Sequence, residues 1–252
     1  MDKKQLIGIT ETGDPAFNLG IFDRLYKGNI IITKRLTDDL NNKLLEHYEK
    51  VILHLTVTGM GSSVIEPFVP PVEQVKEKFI QLITLGFPIE QVVLRIDPIV
   101  PTDKGIDTAR GVLETFRGLG ISRVRISFLD NYKHVRERFK EKGIPELYDG
   151  KFHAPLEDRV KYLEMIKDCA SEMGYGTIEA CGEPGIESTS CLSQRDIDIL
   201  RLTDTIQLEG SAKQRNSCSC PSNKIQLISN GYNKECENRC LYCYIRDKEK
   251  KI

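Results

Sequence analysis

Short apolar runs alternate along this chain with stretches of helical period, and that rhythm restricts it to a small set of folds. Candidate strands fall at 6–12, 29–34, 51–58, 91–97, 123–129, 177–181, 204–209 and 225–229. Candidate helices fall at 16–27, 37–48, 71–85, 108–119, 132–142, 156–173 and 193–202. Pro71 stands where a first helical turn tolerates proline. Gly86, Gly120 and Gly174 follow helices as C-terminal caps do. Strands alternating with helices predict a parallel sheet joined by right-handed crossovers. Eight such units in 252 residues predict an α/β fold, a TIM-like (β/α)8 or near-complete (β/α) barrel. A doubly wound open sheet is the alternative, but residues 10–13 do not supply the G-x-G-x-x-G of a dinucleotide loop. Residues 1–210 would form the barrel body, and the Cys-rich segment 211–252 would complete the same domain.

Side chains on a strand alternate faces. His54, Thr56 and Thr58 therefore share one face, and Leu53, Leu55 and Val57 the other. Arg95 joins Asp97 and Val93, Arg125 joins Ser127 and Arg123, and Glu179 joins Cys181; Gln207 and Glu209 pair in the same way. In a barrel the outward face packs on helices and must be apolar, so the polar face points inward. Unpaired burial of such groups costs several kcal/mol per charge. They therefore either pair with one another, Arg95 with Asp97 first, or line a polar cavity that holds a ligand.

Ligands of parallel α/β folds bind at the carboxyl ends of the strands. Those ends carry residues 11–14, Lys34, Thr58, Asp97, Asp130, Asn131, residues 181–183 and Glu209. Asp130 and Asn131 also suit helix N-caps. The last candidate strand leads to Cys236-Glu-Asn-Arg-Cys240-Leu-Tyr-Cys243. A closed zinc site or an ordinary [4Fe–4S] cluster takes four protein ligands. Three thiols on a four-iron cluster would leave one iron open to a substrate or cofactor. The competing reading is a zinc knuckle with Cys218 or Cys220 as fourth ligand.

Formal charge is −1, which argues against a nucleic-acid or anionic-membrane surface. No apolar run approaches a membrane span, and the first residues show no signal-peptide pattern, so a cytoplasmic location is expected. Disulfides are rare in that compartment, and eight cysteines there point to metal binding or catalysis. Seven of the eight lie from Cys181 onward. Cys169, at helical spacing with Leu163, Ile166 and Met173, reads as core. Cys181, Cys191, Cys218 and Cys220 suffice for a second cluster or a zinc ion. Alternatively, one of them caps the open iron. Lys213, Gln214 and Arg215 suit a phosphate or carboxylate, or a solvated loop, and the tail 246–251 reads as solvated helix.

The spacing C-x3-C-x2-C, with Tyr242 before the third Cys, resembles the cluster loop of radical S-adenosylmethionine (radical-SAM) enzymes. The full chain resembles a family catalogued as domain of unknown function 1848. The stretches that carry this are Thr12-Gly-Asp-Pro-Ala-Phe17, Thr33-Lys34, Arg95-Ile-Asp-Pro98, Ile126-Ser-Phe-Leu-Asp130, Glu179-Ala-Cys181, Cys218-Ser-Cys220 and Cys236…Cys240-Leu-Tyr-Cys243-Tyr244. Radical-SAM enzymes carry their cysteine loop after the first strand, whereas here it follows the last. A circular permutation would reconcile the two, with strand 225–229 beside strand 6–12. Thr12, Gly13 and Asp14, followed by Pro15, would then match the Gly-Gly-Glu-Pro-like turn that contacts the SAM amino group. Gly182-Glu183-Pro184 is a competing match.

The resemblance implies a radical-SAM-like iron–sulfur enzyme. Cys236, Cys240 and Cys243 would hold the [4Fe–4S] cluster, and SAM would bind the open iron. Reductive cleavage would yield a 5′-deoxyadenosyl radical that abstracts hydrogen from a substrate the sequence does not name. Arg95, Asp97, Arg125 and Glu179 would orient SAM or substrate, and a flavodoxin or ferredoxin would donate the electron. Two other readings stay open: a SAM-independent iron–sulfur electron-transfer protein, and a zinc-stabilised binding module for nucleic acid, against which the near-neutral charge counts.

Overall fold

The computed structural model describes residues 5–212, 218–228 and 236–246. Its frame is one parallel sheet of seven strands: β1 (Ile7–Ile9), β2 (Gly28–Thr33), β3 (Val51–Thr56), β4 (Val92–Ile99), β5 (Arg123–Phe128), β6 (Thr177–Ala180) and β7 (Lys224–Gln226). The spatial order is β6-β5-β4-β3-β2-β1-β7. Six strands thus lie side by side in chain order. The last returns to pair with the first, Ile7 opposite Lys224 and Ile9 opposite Gln226, so the expected adjacency of last and first strands is present. No β6–β7 pairing occurs among the described residues, so barrel closure is not seen among them.

Six α-helices connect these strands: α1 (Asp38–Glu46), α2 (Val72–Thr84), α3 (Asp103–Phe116), α4 (Lys133–Glu141), α5 (Leu156–Glu172) and α6 (Gln194–Ile199). Their starts follow local chemistry. The Thr37 hydroxyl accepts from Leu40 N–H at 3.2 Å and Thr102 accepts from Gly105 N–H at 3.2 Å. The Thr102 cap starts α3 five residues before the expected 108. Ser193 and Asp196 form a capping box at α6. Gly86 (φ 102°) and Gly174 (φ 85°) leave their helices in the left-handed region.

Two expected elements are absent. Segment 16–27 forms two 3-10 turns, Pro15–Phe17 and Leu19–Arg24, rather than an α-helix. Asn18 and Gly20 are poor helix formers, and the Asn29 side chain takes the Tyr26 N–H at 3.0 Å. Segment 204–209 joins no sheet, so the described residues form seven strands where eight were expected. Its backbone is held by side chains instead: Gln5 Oε1 accepts from Gln207 N–H at 2.9 Å, and Asn223 Nδ2 donates to Gln207 O at 3.0 Å. Only the start of expected strand 225–229 pairs, and Ser229 lies outside the described residues.

The two faces of the sheet divide as the alternation predicts. Leu53, Leu55, Leu94, Ile96, Val124 and Ile126 pack outward on Leu40, Phe79, Val112 and Ile166 of the helices. Each such burial contributes roughly 1.5–3 kcal/mol. The inner face carries Ile7, Ile9, Ile30, Ile52 and Val93, which pack with Leu192, Ile197 and Leu200 from α6 and its flanks. Farther along the strands this face turns polar. His54, Arg95, Arg123, Arg125 and Ser127 are all buried. The sheet register sets Arg95 opposite Arg125 and Arg125 opposite Glu179. Each arginine has an acid: Arg95 with Asp97, Arg125 with Glu179, and Arg123 with Asp196 of α6 at 2.8 Å. No helix among the described residues is long and apolar enough to cross a membrane.

Candidate metal centre

The strands end on one rim, and a cavity of about 370 Å³ opens there. That size suits a small-molecule site, for which roughly 300–1,000 Å³ is usual. Its floor is Thr10, Thr56, Arg95 and Ser127 at the polar end of the inner face. Thr12, Gly13, Asp14 and Lys34 stand on one side, and Cys236, Cys240 and Cys243 cover it.

The cysteine loop is two consecutive turns, with Arg239 N–H bonding Cys236 O at 3.1 Å and Cys243 N–H bonding Cys240 O at 3.2 Å. Arg239 sits at φ 47°, a left-handed position that sharpens the first turn. Three anchors seat the loop. Buried Asn238 donates to Asp14 Oδ2 at 2.8 Å and accepts from Arg35 Nη2 at 2.7 Å. Leu241 fills an apolar niche of Leu129, Val135 and Phe139, and its N–H bonds Ile65 O at 2.9 Å. Arg138 of α4 donates to the carbonyls of Leu241 (2.8 Å), Cys243 (2.5 Å) and Arg246 (3.0 Å).

The Asp14 carboxylate accepts four hydrogen bonds, from Ala16 N–H (3.1 Å), Thr33 Oγ1 (2.7 Å), Lys34 N–H (3.0 Å) and Asn238. It therefore joins the ends of β1 and β2 to the cysteine loop. Thr12 does the same toward β7 by donating to Ile228 O. The competing match at Glu183 is occupied elsewhere: Arg159 Nη1 (3.0 Å) and Phe128 N–H (2.7 Å) hold its carboxylate. Glu183 does not line the cavity.

A second polar knot centres on Glu66, which is 1% exposed. It accepts from Lys34 Nζ at 2.9 Å, Thr58 Oγ1 at 2.6 Å and the Tyr242 hydroxyl. Lys34 lies 5.3 Å above the Tyr242 ring. Burial pushes the Lys34 ammonium down, but Glu66, joined by Cys240 and Asp97, more than offsets it and the net shift is upward. Burial, then Glu66, pushes the Tyr242 hydroxyl well up. Burial also raises Cys236, and raises Cys240 to about 12, so these thiols ionise only with a cation to offset the charge.

Donors around one tetrahedral zinc ion sit roughly 3.5–4 Å apart. Cys236, Cys240 and Cys243 do not come within 4.8 Å of one another as a group; among the described residues Glu11, Cys191 and Cys220 do. A four-iron cluster binds each thiolate through a different iron, so its ligands stand farther apart. Cys236, Cys240 and Cys243 share one cavity and are the loop residues that could hold a metal group.

The other cysteines gather below the rim. Cys181 Sγ lies 3.3 Å from Cys191 Sγ, and Cys191 N–H lies 3.3 Å from Cys220 Sγ. Hydrogen bonding with Cys181 and Cys220 holds the Cys191 thiol well below the usual range. Cys218 is half-buried against the same cluster, and Cys169 is half-buried on α5.

Of the expected site residues, Thr12, Gly13, Asp14, Tyr242, Arg95, Asp97, Cys191 and the three loop thiols line one cavity. Arg125, Glu179, Cys181, Cys218 and Cys220 lie outside its lining. Asp130 and Asn131 do not cap α4, whose N-cap is Tyr132. Asn131 Nδ2 instead donates to Leu147 O at 3.0 Å, and Asp130 pairs with His153 at 2.9 Å, because both face the loop 147–153. Lys213, Gln214, Arg215 and residues 247–251 lie outside the described residues. Sequence reasoning passed over Glu66, Asn238 and Arg138, and named Lys34 only as a strand-end residue within the matching stretch Thr33-Lys34. Their roles depend on partners far along the chain, and no local spacing marks them.

No curated protein matches the chain. The sequence profile described as "Domain of unknown function (DUF1848)" matches residues 29–245. That span takes in β2 from its second residue, strands β3–β7 and the whole cysteine loop, and on it the chain belongs to the DUF1848 family.

Proposed function

We propose that this protein is a radical-SAM-like iron–sulfur enzyme. The observation that carries the reading is the meeting of three loop thiols with Thr12–Asp14 across one cavity, at the junction of the first and last strands. The strand order supports a circularly permuted arrangement. Counted from β7, the sheet runs β7, β1, β2 and onward to β6 in unbroken sequence, with the cysteine loop after the strand counted first.

When bound, a [4Fe–4S] cluster with one open iron supplies the SAM site and the electron for reductive cleavage. The chain's own residues do the rest. Cys236, Cys240 and Cys243 are the ligands. Asp14, through Asn238, and Arg138 fix the loop backbone, so the thiols are positioned before anything binds. Lys34 lies beside Cys240 and offsets thiolate charge. Arg95, paired to Asp97, which also takes the Ser127 hydroxyl, offers a positive and a negative group on the facing wall. That pair suits an amino-acid carboxylate and ammonium. Seating the loop over the cavity keeps water from the substrate.

Anaerobic reconstitution with iron and sulfide tests the proposal. About four irons per chain, lost in the Cys236→Ala/Cys240→Ala/Cys243→Ala variant, are expected. So is 5′-deoxyadenosine formed from SAM under reduction. Zinc in place of iron at the loop would end the reading. Iron with no SAM-dependent change in the cluster's electron paramagnetic resonance spectrum would favour a SAM-independent electron carrier.

A further inference from the structure

We infer that Cys181, Cys191 and Cys220, with the carboxylate of Glu11, form a second metal site for one thiolate-seeking divalent ion of the zinc type, and that this ion ties together the two open edges of the sheet. The site is separate from the cysteine loop and does not depend on the radical-SAM reading.

Three of the four donors already have the spacing of a single-ion site, and Cys181 touches one of them. Ligand atoms of Glu11, Cys191 and Cys220 all lie within 4.8 Å of one another. Cys181 Sγ is 3.3 Å from Cys191 Sγ. That is too long for an S–S bond and suits two donors on one zinc ion; Cys181 does not lie within 4.8 Å of all three other donors and joins them as fourth ligand by turning toward the ion. All three thiols are at least nine-tenths buried. Binding requires each thiol to release its proton to solvent as the metal–sulfur bond forms.

Three thiolates and a carboxylate outweigh a divalent ion, so the site needs nearby cations, and they are present. Arg95 Nη1 is 3.6 Å from Cys191 Sγ. Arg125, opposite Arg95 in the sheet and 0% exposed, keeps Nε and Nη1 without a partner. Lys224 holds both Glu11 oxygens at 2.8 and 3.0 Å, and Gln226 Nε2 donates to Oε2 at 2.8 Å. These contacts orient the carboxylate and leave lone pairs for a metal.

Placement gives the ion its role. Cys181 directly follows edge strand β6, Glu11 follows β1, and Cys220 precedes edge strand β7. Cys191 comes from the segment that crosses between the two edges. Coordination would thus link β6 to the β1–β7 side, where no strand hydrogen bonds run among the described residues.

The test uses the full chain and three variants: Cys191→Ser, Cys220→Ser and the loop triple Cys236→Ala/Cys240→Ala/Cys243→Ala. Zinc per chain is measured by mass spectrometry, and affinity by competition with a chromogenic chelator. The loop triple should retain one zinc, and cobalt exchange should give a thiolate charge-transfer band. Cys191→Ser and Cys220→Ser should bind zinc at least tenfold more weakly. Where those two fail to fold, the loop triple alone decides: stripping its zinc should lower Tm by several degrees, and adding zinc back should restore it. Zinc absent from the loop triple, a Tm indifferent to zinc, or iron–sulfur absorption persisting in that variant would each overturn the inference. Loss of iron from the loop triple bears only on the other site.

Discussion

The carboxylate of Asp14 and the amide of Asn238 are 224 residues apart in the chain and 2.8 Å apart in the fold. The contact is buried, and it fastens the cysteine loop to the ends of β1 and β2. Asp14→Ala would leave the Lys34 N–H and the Asn238 amide without this acceptor, while the Thr33 hydroxyl keeps Arg35 O at 2.7 Å. We expect a loss on the order of 3 kcal/mol, read from the urea midpoint. Iron retained after reconstitution should fall in parallel. A change under about 0.5 kcal/mol would remove Asp14 as the clasp.

Arg138 grips three carbonyls of the same loop from α4. Arg138→Met keeps the apolar stem and removes the donors. Faster proteolytic cleavage within residues 236–246 is expected, with a stability loss of about 2 kcal/mol. Arg138→Lys should not rescue, because one ammonium cannot serve three carbonyls in a fixed fork. Equal cleavage rates in wild type and Arg138→Met would contradict this.

Arg123 and Asp196 are 1% and 0% exposed and join β5 to the capping box of α6. Arg123→Met strands a buried carboxylate and should cost roughly 3–5 kcal/mol. Adding Asp196→Leu removes that charge and should recover at least about 1 kcal/mol, despite the lost cap. A double variant whose cost equals the sum of the singles would show the two residues to be uncoupled.

His54 is fully buried, and among the described residues neither ring nitrogen has a hydrogen-bond partner. Burial first, then Arg125 and Arg95, holds its pKa well below 6.5; Arg123 acts the same way, and only Cys191 opposes. The folded ring therefore stays neutral while the unfolded ring protonates near pH 6.5. The unfolded chain takes up the extra proton as pH falls, so this contribution is complete above about pH 6.5 and is lost below it. The urea midpoint should drop on acidification, with a slope of at most about 1.4 kcal/mol per pH unit from this group. His54→Leu should flatten that part of the profile at little cost near neutral pH. An unchanged profile would assign the acid sensitivity to other groups.

Much of this was legible locally. The inward set His54, Arg95, Arg123 and Arg125 follows from period-two alternation alone, and Arg95–Asp97 lie two apart on one strand. Segment 204–209 misled because Ile206 and Leu208 alternate like a strand, yet its backbone groups find side chains of Gln5 and Asn223. Glu66 was invisible because it sits in the irregular stretch between β3 and α2, where no periodicity assigns a face. Its partners Lys34 and Tyr242 come from opposite ends of the chain.

The sequence by itself determined the β/α rhythm, the apolar outer face, the polar inner face and the cysteine loop. These are properties of neighbours along the chain, set by backbone period and side-chain polarity. Only the tertiary structure decided that β7 lies against β1, that β6 and β7 do not pair among the described residues, and that the thiols divide into a rim loop and an inner cluster. Those outcomes rest on hydrogen bonds and buried contacts between groups up to 224 residues apart. Such contacts form only once the sheet has brought its strand ends to one rim.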